Sequence, residues 1–542
     1  MRRSGVCHWL CLVLICLWAT GCASLPSRVD RPVSTALNSP AETRLGQLVQ
    51  ARAVRAGTRN DSGFALVGNA ELAFTSRMAL IKAAQKTLDI QYYAIFADDT
   101  TERLFDALRD AASRGVRIRI LLDDFNTSGK NAQVLKLAFE NNIELRLFNP
   151  LPGGRSSMLL RIVSNLGDVA RMQRRMHNKM LVADNAIAIT GGRNLGETYF
   201  GQSEGTNFVD IDVLAAGRIV RDLSRSFDQY WNNPLAYPVQ SLMSKKDIEA
   251  LKPPPAAAGP GGPSSSTQQA DAAVAPAAKP LPLAADAVNA LPDSTDLGLL
   301  TWTWAPSVLL VDKPSKIAAD ADDVAEAQET AVDGLLQLMS QARNDLLIVS
   351  PYFVPGEVMM GQFAEVRRRG VRVRVLTNSL ASNDAPAAHV GYARYREALL
   401  AVGIELYEMR AEQEGTVRNF GSGAGSAGGS KGGSRASLHA KVVVMDGRLL
   451  VVGSMNLDLR SKLQNSEVAI VIRNPALAQE TMRMIEPALT GGAYRVERVG
   501  GQLIWRAPKG SGLQDSTTEP DASFALKLLL QLFGPLAPEE ML

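Results

Sequence analysis

The chain carries at residues 174–194 the stretch RRMHNKMLVADNAIAITGGRN, and residues 437–456 repeat it as SLHAKVVVMDGRLLVVGSMN. Both copies contain a histidine, a lysine, an aspartate and an asparagine in the same order and with identical spacing. In both copies an apolar run follows the lysine, and a second apolar run ends at a pair of small residues. Two copies with matched spacing indicate a duplicated chain.

Other segments repeat in the same order and predict an α/β fold in each half. The first half contains LDIQYYAIF (88–96) and SRGVRIRILLDD (113–124), which the second half matches with LLIVSPYFV (346–354) and RRGVRVRVLTNS (368–379). These apolar, β-branched runs are typical of strands. The intervening TERLFDALRDAASRG and GQFAEVRRRG have helical patterns that stop at glycine. Strands that alternate with helices favour an α/β sheet.

Composition gives the expected domain boundaries. Residues 248–293 are rich in Pro, Ala, Gly and Ser, which predicts a linker between an N-terminal domain (45–247) and a C-terminal domain (294–505). A Gly/Ser-rich insertion at 421–437 precedes the second motif. The remaining tail, 506–542, contains SFALKLLLQLFGPL, which is too short to span a bilayer. An interfacial membrane helix and a helix docked against the core are both compatible with it.

The amino terminus resembles a bacterial lipoprotein signal. Residues 1–21 combine two arginines with a short apolar core and end in small residues, and Cys22 follows as the expected lipidation site. An uncleaved anchor and simple secretion remain as alternatives. We expect residues 22–44 to form a polar tether. The predicted location is a membrane-anchored lipoprotein that faces the periplasm or the cell exterior, with inner and outer membrane both open.

The net charge and the small numbers of cysteines and histidines limit the kinds of site that the chain can form. The net charge is +3, and residues 1–21 hold two arginines and no acid, so the rest of the chain carries +1. This near-neutral balance gives no attraction to nucleic acid, and we expect no nucleic-acid partner. All four cysteines lie between Cys7 and Cys22, which excludes a cysteine-based metal site beyond them. Of only four histidines, two lie in the repeated motif.

The spacing of the motif predicts a phosphate site. If the motif segments are strands, alternate residues share a face, so His177 and Lys179 point the same way, as do His439 and Lys441. The small-residue pairs at Gly191-Gly192 and Gly453-Ser454 would let the backbone approach a ligand. Asn194 and Asn456 follow these pairs and can donate amide protons. One copy alone could be a strand with incidental polar residues, but two matched copies favour a composite site with two imidazoles and two ammonium groups.

Together, these motifs resemble the phospholipase D superfamily and, more narrowly, bacterial cardiolipin synthases of the C type. The motif regions are residues 171–198 and 433–460, and the similarity covers most of residues 45–240 and 296–542. Further similar stretches are LDIQYYAIFADD, GVRIRILLDDFNT, GGRNLGETYFG, TNSLASND and HVGYARYR. The resemblance implies two duplicated α/β/α domains with one shared active site at a pseudo-two-fold interface.

The resemblance also implies a mechanism without cofactor or metal. His177 would be the nucleophile and His439 the general acid and base, an order that the sequence alone does not fix. Lys179 and Lys441 would stabilise the charge on the phosphate oxygens. Asp184 and Asp446 complete the family motif as catalytic candidates, but their position at strand ends favours a structural role.

The family places a supporting acid behind each histidine. Glu467 follows His439 in the second half, and Asp210 follows His177 in the first. Either carboxylate could hold the second ring nitrogen of its imidazole, although a surface acid beside a strand is the plain alternative. His389 is compatible with lining the acceptor site or with lying on a helix surface. Three arginines precede the first motif, Arg171, Arg174 and Arg175, and could bind lipid headgroups or end a solvated helix.

The activity implied by the resemblance is that of a cardiolipin synthase-like phosphatidyltransferase. It would transfer a phosphatidyl group to phosphatidylglycerol through a phosphohistidine, with phosphatidylethanolamine as the donor, at a membrane and as a monomeric catalytic unit. A phosphodiesterase of the same superfamily, which hydrolyses phospholipid or less readily nucleic acid, is the alternative. A non-catalytic lipid-binding protein fits the complete motifs poorly.

Overall fold

The computed structural model describes residues 24–243, 246–247, 294–319, 330–412 and 435–533. The predicted signal peptide with Cys22, the linker at 248–293 and most of the Gly/Ser-rich insertion lie outside these residues. Among the described helices, none combines the length and apolar character that crossing a membrane would require.

The first half of the chain alternates helices with strands. Its parallel strands β2, β3 and β4 are the apolar repeats found in the sequence, and the helix between β2 and β3 begins at the side-chain cap of Asp98 and ends before Gly115, whose φ is 88°. In chain order its elements are α1 (Arg44–Arg55), β1 (Ser62–Val67), α2 (Ala70–Ala83), β2 (Thr87–Tyr92), α3 (Asp99–Ser113), β3 (Arg117–Asp123), β4 (Ile143–Phe148), α4 (Met158–Ser164), α5 (Val169–Gln173), β5 (Met180–Ala183), β6 (Ile187–Gly191), β7 (Thr206–Val209), β8 (Asp212–Gly217), α6 (Arg218–Trp231) and β9 (Ala236–Pro238).

The second half repeats this plan. Its elements are β10 (Thr303–Ala305), β11 (Ser307–Val311), α7 (Ser315–Ala318), α8 (Ala331–Met339), β12 (Asp345–Val349), α9 (Gly356–Arg368), β13 (Arg372–Asn378), α10 (Pro386–Ala401), β14 (Glu405–Met409), β15 (Arg435–Leu438), β16 (Val442–Met445), β17 (Leu449–Gly453), α11 (Leu459–Leu463), β18 (Val468–Arg473), α12 (Pro475–Gly491), β19 (Ala493–Val499), β20 (Gln502–Arg506) and α13 (Phe524–Phe533).

Two nine-stranded mixed sheets confirm the duplicated α/β architecture. The strand orders are β10-β1-β8-β6-β5-β2-β3-β4-β9 and β11-β18-β17-β16-β12-β13-β14-β19-β20. Eight consecutive strands correspond one to one, from β1 and β11 at one end to β9 and β19 at the other. Three strands of each sheet run parallel, β2, β3 and β4 in the first and β12, β13 and β14 in the second. The motif strands β5 and β16 pair antiparallel with β2 and β12. This arrangement brings both histidine segments to the carboxyl edge of the parallel strands, where α/β folds place their ligands.

The two halves share a hydrophobic core. One buried cluster contains residues from both sheets, among them Val213 and Phe227 from the first half and Val444 and Ile470 from the second. Two further clusters fill the outer faces, one for each half. Because helix α6 also contacts β11, and Tyr230 on that helix donates a 2.8 Å hydrogen bond to the Asp312 carbonyl, the interface between the halves resembles the interior of one domain.

The domain boundary at residue 294 does not match the sheets. Strand β10 pairs antiparallel with β1 at the edge of the first sheet, with Ser62 opposite Ala305. Strand β15, in the second half, pairs with β7 of the first half in a separate two-stranded sheet. The chain therefore completes the first sheet after the linker before it begins the second, which composition alone could not reveal.

The predicted tether at 22–44 is docked on the N-terminal domain. Arg119, buried in β3, donates to the Ser34 carbonyl at 2.9 Å, and Arg146 in β4 donates to the Pro32 carbonyl at 2.6 Å. The amide of Ala36 donates to Asp228 at 2.9 Å. These hydrogen bonds fix the backbone of the segment, so the expectation of a free tether is wrong for its described residues from 31 onward. Basic residues that alternate along β3 and β4 hold the segment together with Asp228 of α6.

Candidate active site

Each histidine lies with its lysine in an extended segment just before a strand. Strands β5 and β16 begin at the residue after each lysine. The histidines were expected inside the strands. Each segment instead runs beside the other half of the chain: the His177 amide donates to the Ser466 carbonyl at 2.9 Å, and the His439 amide donates to the Val209 carbonyl at 2.8 Å. The two motifs are thus clamped together across the pseudo-two-fold, as a composite site requires.

A pair of equivalent residues holds the backbone just before each histidine. Asp123, at the end of β3, accepts a 2.9 Å hydrogen bond from the Met176 amide. Asn378, at the end of β13, accepts a 2.8 Å hydrogen bond from the Leu438 amide. The sequence contains these residues in the matched repeats, but nothing in their spacing revealed this role.

The two supporting carboxylates are exchanged between the halves. Nδ1 of His177 lies 3.0 Å from Oε2 of Glu467, and Nδ1 of His439 lies 2.8 Å from Oδ2 of Asp210. The predicted pairing of each histidine with the acid of its own half is therefore wrong. Glu467 directly follows Ser466, whose carbonyl binds the His177 amide, and Asp210 directly follows Val209, whose carbonyl binds the His439 amide. Both acids are fully buried, which excludes the alternative of a surface acid for either.

The small-residue pairs give the carboxylates room. A Cβ on Gly192 would lie 2.5 Å from both carboxylate oxygens of Asp210. The equivalent Ser454 donates its hydroxyl to Glu467, which also accepts from the Ser461 hydroxyl at 2.9 Å. These residues were expected to let the backbone approach a ligand, but the group that approaches is the acid of the site.

The two lysines are buried, and each contacts the histidine of its own motif. Nζ of Lys179 donates to the His177 carbonyl at 2.8 Å, and Nζ of Lys441 lies 3.0 Å from Nδ1 of His439. Burial lowers the pKa of Lys441 to about 8, against the opposing effect of Asp210 and Glu467. Burial likewise lowers the pKa of Lys179 well below its ordinary value. The ammonium groups are therefore poorly solvated and poised to gain from an anion.

Electrostatics differ between the two histidine–carboxylate pairs. Burial, together with Lys179 and Lys441, lowers the pKa of His177 to about 4 against the opposing effect of Glu467. Burial and the same lysines hold the pKa of His439 well below its usual range. Burial raises the pKa of Asp210 to about 6, whereas His177 and Lys179 overcome burial and hold the pKa of Glu467 below its ordinary value. Without an anion both imidazoles are neutral near pH 7.

The two asparagines have different surroundings. Oδ1 of Asn194 accepts from the Ala94 amide at 3.2 Å, and its Nδ2 donates to the Tyr199 hydroxyl at 3.0 Å. The side chain thus supports the loop beside the site, and its predicted contact with phosphate stays a prediction. Asn456 is buried, and its Oδ1 has no hydrogen-bond partner among the described residues, so the predicted phosphate contact stays a prediction for Asn456.

The motif aspartates are at the opposite edge of the sheets. Seven residues of extended chain separate Asp184 from His177, roughly 20 Å at the rise of a strand. The Asp184 carboxylate accepts from the Lys86 and Thr87 amides at 2.8 and 2.9 Å. Asp446 accepts from the Asn344 amide at 2.7 Å. Both have positive φ, 52° and 53°, at the turns between motif strands. Their assignment as catalytic candidates is thus wrong by geometry, and the structural role fits.

Aromatic rings that the sequence did not single out pack on the imidazoles. Tyr93 meets His177 edge-on with centroids 5.1 Å apart, and Tyr199 meets His439 in the same way at 5.2 Å. Phe208 lies 5.0 Å from the His439 ring. Because rotation of either ring would displace these side chains, the aromatic contacts restrict the imidazoles to the orientation set by the carboxylates.

His389 and two of the arginines before the first motif pair with other residues of the chain. His389 is buried and does not lie on a helix surface. Its Nε2 lies 3.2 Å from Arg396 and 3.5 Å from Glu519, and these contacts hold the C-terminal tail against α10. Arg175 is also buried and donates to the Asn149 carbonyl at 3.1 Å, so it does not present its charge to a headgroup. Arg171 pairs with Asp168 at 2.9 Å on the surface.

Comparisons with known proteins agree with this geometry. The family model described as "Cardiolipin synthase, PLD-like domain" matches twice, over residues 78–231 and 335–488, and each match includes one histidine motif. Cardiolipin synthase C of Escherichia coli K12 is 35% identical over 478 residues, which cover 87% of this chain and 94% of the relative. An uncharacterized protein of Helicobacter pylori 26695 is 29% identical over 530 residues, 96% of this chain and 97% of the relative.

A solved structure shares the architecture. The crystal structure of phosphatidylserine synthase from Haemophilus influenzae Rd KW20 aligns with a TM-score of 0.55 at 13% identity and covers 91% of this chain and 99% of its own. At this identity the likeness concerns the fold. It shows that the two-sheet arrangement of both halves, and not only each half, is that of a known protein.

Proposed function

Because the chain belongs to the cardiolipin synthase family with phospholipase D-like domains, we propose that it transfers a phosphatidyl group to phosphatidylglycerol, with phosphatidylethanolamine as the donor. The observation that carries the proposal is the crossed arrangement of two imidazoles, each held at Nδ1 by a buried carboxylate from the other half. This leaves both Nε2 atoms as the ring nitrogens available for chemistry, one to attack phosphorus and one to move a proton.

In the first step, Nε2 of His177 attacks the phosphorus of the donor. The P–O bond to the headgroup breaks, the phosphatidyl group forms a P–N bond with His177, and the protonated His439 gives its Nε2 proton to the leaving oxygen. Glu467 suits the nucleophile, because its low pKa keeps it ionised and able to accept the hydrogen bond from Nδ1–H while positive charge develops on the ring.

The second step reverses the proton transfer. The acceptor hydroxyl gives its proton to Nε2 of His439, the oxygen forms a new P–O bond, and the P–N bond breaks to restore His177. The phosphodiester anion raises the pKa of the neighbouring His439, which is otherwise low, so that the ring can be charged before the first step. Lys179 and Lys441 stabilise the charge on the non-bridging oxygens in both steps.

A lipid-transfer assay tests the proposal. The purified protein is incubated, with chelator present, with vesicles that contain labelled phosphatidylethanolamine and phosphatidylglycerol, and the products are separated. We expect cardiolipin together with free ethanolamine, and loss of both in the variants His177→Ala and His439→Ala. Phosphatidic acid without cardiolipin would instead support the hydrolase. Turnover that survives in either variant would contradict a shared two-histidine site.

We further propose that the protein works at a membrane, attached through lipidated Cys22. Two exposed apolar surfaces support contact with lipid. On α13, Phe524, Leu528 and Leu532 recur every four residues and are exposed, the first at 80%. Around α4, Leu159, Val163 and Leu166 are exposed, the first at 71%.

Both apolar surfaces are fastened near the carboxyl edges of the sheets. Arg161 of α4 donates to the Asp124 carbonyl just beyond β3 at 2.8 Å. Asp521, which precedes α13, accepts from Tyr494 at 3.0 Å and lies 3.7 Å from Arg410, just beyond β14. The segments that carry these apolar side chains are thus anchored at the edge that holds the histidines, which supports an interfacial role.

Vesicle binding of a shortened chain that begins at Ala23 separates the two contributions. We expect this protein to sediment with phosphatidylglycerol vesicles and the double variant Phe524→Ser/Leu528→Ser to bind several-fold more weakly. Val308→Ser, at an exposed apolar residue in β11, is the matched control. Equal binding by all three proteins would show that α13 does not contact the membrane. The lipid anchor is tested in the full chain, where incorporation of radiolabelled fatty acid should be lost in Cys22→Ala.

A further inference from the structure

The two-fold symmetry of the site is broken at the His439 side by a carboxylate–phenol pair. The Tyr352 hydroxyl donates to both oxygens of Asp384, at 3.0 and 2.8 Å. At the matching positions of the first half, counted from the starts of the equivalent strands, the chain has Ala94 and Gly129. A feature present on one side of a duplicated site distinguishes what binds there.

The loop that carries Asp384 is held against the strand leading to His439. Asn378 donates to the Leu438 carbonyl at 2.9 Å and accepts from its amide, and the Ser382 hydroxyl donates to Asn378 at 3.0 Å. Arg435 donates to the Ala381 carbonyl in the same loop. Asp384 therefore has a fixed position beside the second motif, close enough for its charge to act on Lys441 and Tyr199.

Asp384 remains open to solvent, and Tyr352 is half-buried, so a ligand can reach both. The carboxylate has lone pairs beyond those that Tyr352 uses, and the phenol oxygen, having donated its proton, can only accept. The pair thus offers hydrogen-bond acceptors to a group that brings donors. None of the steps proposed above uses either residue.

From this geometry we propose that Asp384 and Tyr352 form a headgroup subsite that binds the non-reacting hydroxyls of a glycerol-type acceptor while His439 takes the proton of the reacting one. The inference rests on the proposed transferase function. Both the leaving and the entering alcohol must exchange a proton with His439, so the headgroup occupies this side of the site in both steps. The ammonium of the leaving ethanolamine also has donors, but there the attraction of Asp384 is opposed by the like charge of Lys441, whereas the neutral hydroxyls of the acceptor bind without that repulsion.

Soluble alcohols test the subsite without changing the donor lipid. We compare phosphatidyl transfer to glycerol with transfer to 1-propanol, which has the reacting hydroxyl alone, in wild type and in Asp384→Asn. A hydrogen bond to a charged group contributes about 1.5–3 kcal/mol, so we expect the glycerol preference and the rate of cardiolipin formation to fall about tenfold or more. Transfer to 1-propanol should stay within about twofold, and Tyr352→Phe should show a smaller change in the same direction.

The control is Glu405→Gln, which alters a similar tyrosine–carboxylate pair with Tyr407 at the start of β14, the edge opposite the histidines, and should leave the preference unchanged. If Asp384→Asn slows both alcohols equally, or keeps the glycerol preference, the subsite is wrong. Failure of the proposed function is a different result, because wild type would then form phosphatidic acid alone and transfer to neither alcohol.

Discussion

At the scale of single residues, the site depends on which side chains face which across the interface. Each imidazole has its second nitrogen occupied by a buried carboxylate, 3.0 Å away for His177 and 2.8 Å for His439. The two carboxylates differ, because Asp210 has a raised pKa and Glu467 a lowered one. This difference is a physical basis for giving two similar histidines different tasks.

The pH dependence of kcat/KM should be bell-shaped. Asp210 must be ionised to hold His439, so activity should rise with pH through about 6, the pKa that burial gives this carboxyl. Lys441 must be protonated to stabilise phosphate charge, so activity should fall as pH rises through about 8. Stopped assays across this range check both limbs, which belong to the coupled site. Lys441→Arg should move the alkaline limb upward, and an unmoved limb would assign it to another group.

Gly192→Ala should impair catalysis without unfolding the protein. The new Cβ would lie 2.5 Å from both Asp210 oxygens, so the carboxylate must move away from His439. We expect turnover to fall about 100-fold, the range typical for loss of acid–base catalysis. Gly154→Ala, where the added carbon meets nothing within 4 Å, is the control. Wild-type turnover in Gly192→Ala would show that Asp210 does not need its present position.

At the scale of elements, the hairpins β5–β6 and β16–β17 set the position of the motifs. Their turns carry Asp184 and Asp446 with left-handed φ, and each carboxylate accepts from consecutive backbone amides at the start of the neighbouring parallel strand. The aspartates thus tie each motif hairpin to the neighbouring parallel strand, β2 or β12, whose opposite end lies at the active site. Their recurrence in both motifs is explained by the construction of the sheet and needs no contact with substrate.

Asp184→Ala should therefore lower stability more than activity. Its removal leaves buried amides of the β2 start without an acceptor, which costs about 1–3 kcal/mol for each unsatisfied group. Chemical denaturation measures the loss, and kcat of the folded fraction should remain within about threefold of wild type. Asp446→Ala, whose amide partners are more exposed, should lose less stability. A folded but inactive Asp184→Ala would return this residue to the catalytic machinery.

At the scale of the whole molecule, the two halves form one structural unit. They share a buried apolar cluster, pair β10 with β1 and β15 with β7, and complete each other's histidine sites. A chain divided at residue 270 should give two halves that are each inactive alone, because each has a histidine without its carboxylate. Co-expression should restore cardiolipin formation, and restoration should fail when the first half carries His177→Ala. Activity from either half alone would contradict the crossed site.

Much of this organisation follows from the sequence, because duplicated apolar runs mark the same strands in both halves and the motif spacing marks the histidines and lysines. The exchanged pairing of histidines and carboxylates does not follow from the sequence. Distance along the chain suggested Glu467 as the partner of His439, whereas the fold brings Glu467 to His177. The docking of residues 31–37 was also hidden, because their backbone is held by arginines far along the chain. Burial of His389 likewise depends on Glu519, which is remote in the sequence and close only in the folded chain.

The crossed carboxylates also concern the time at which the chemistry first becomes possible. During synthesis His177 leaves the ribosome 290 residues before Glu467, the group that orients it. For most of translation the nascent chain therefore holds a reactive histidine that has no oriented partner and no second imidazole. A bond-breaking activity that would threaten any nearby phospholipid stays latent until the last strands are made and both halves have closed on each other. Completion of folding is in this sense the activating event of the enzyme.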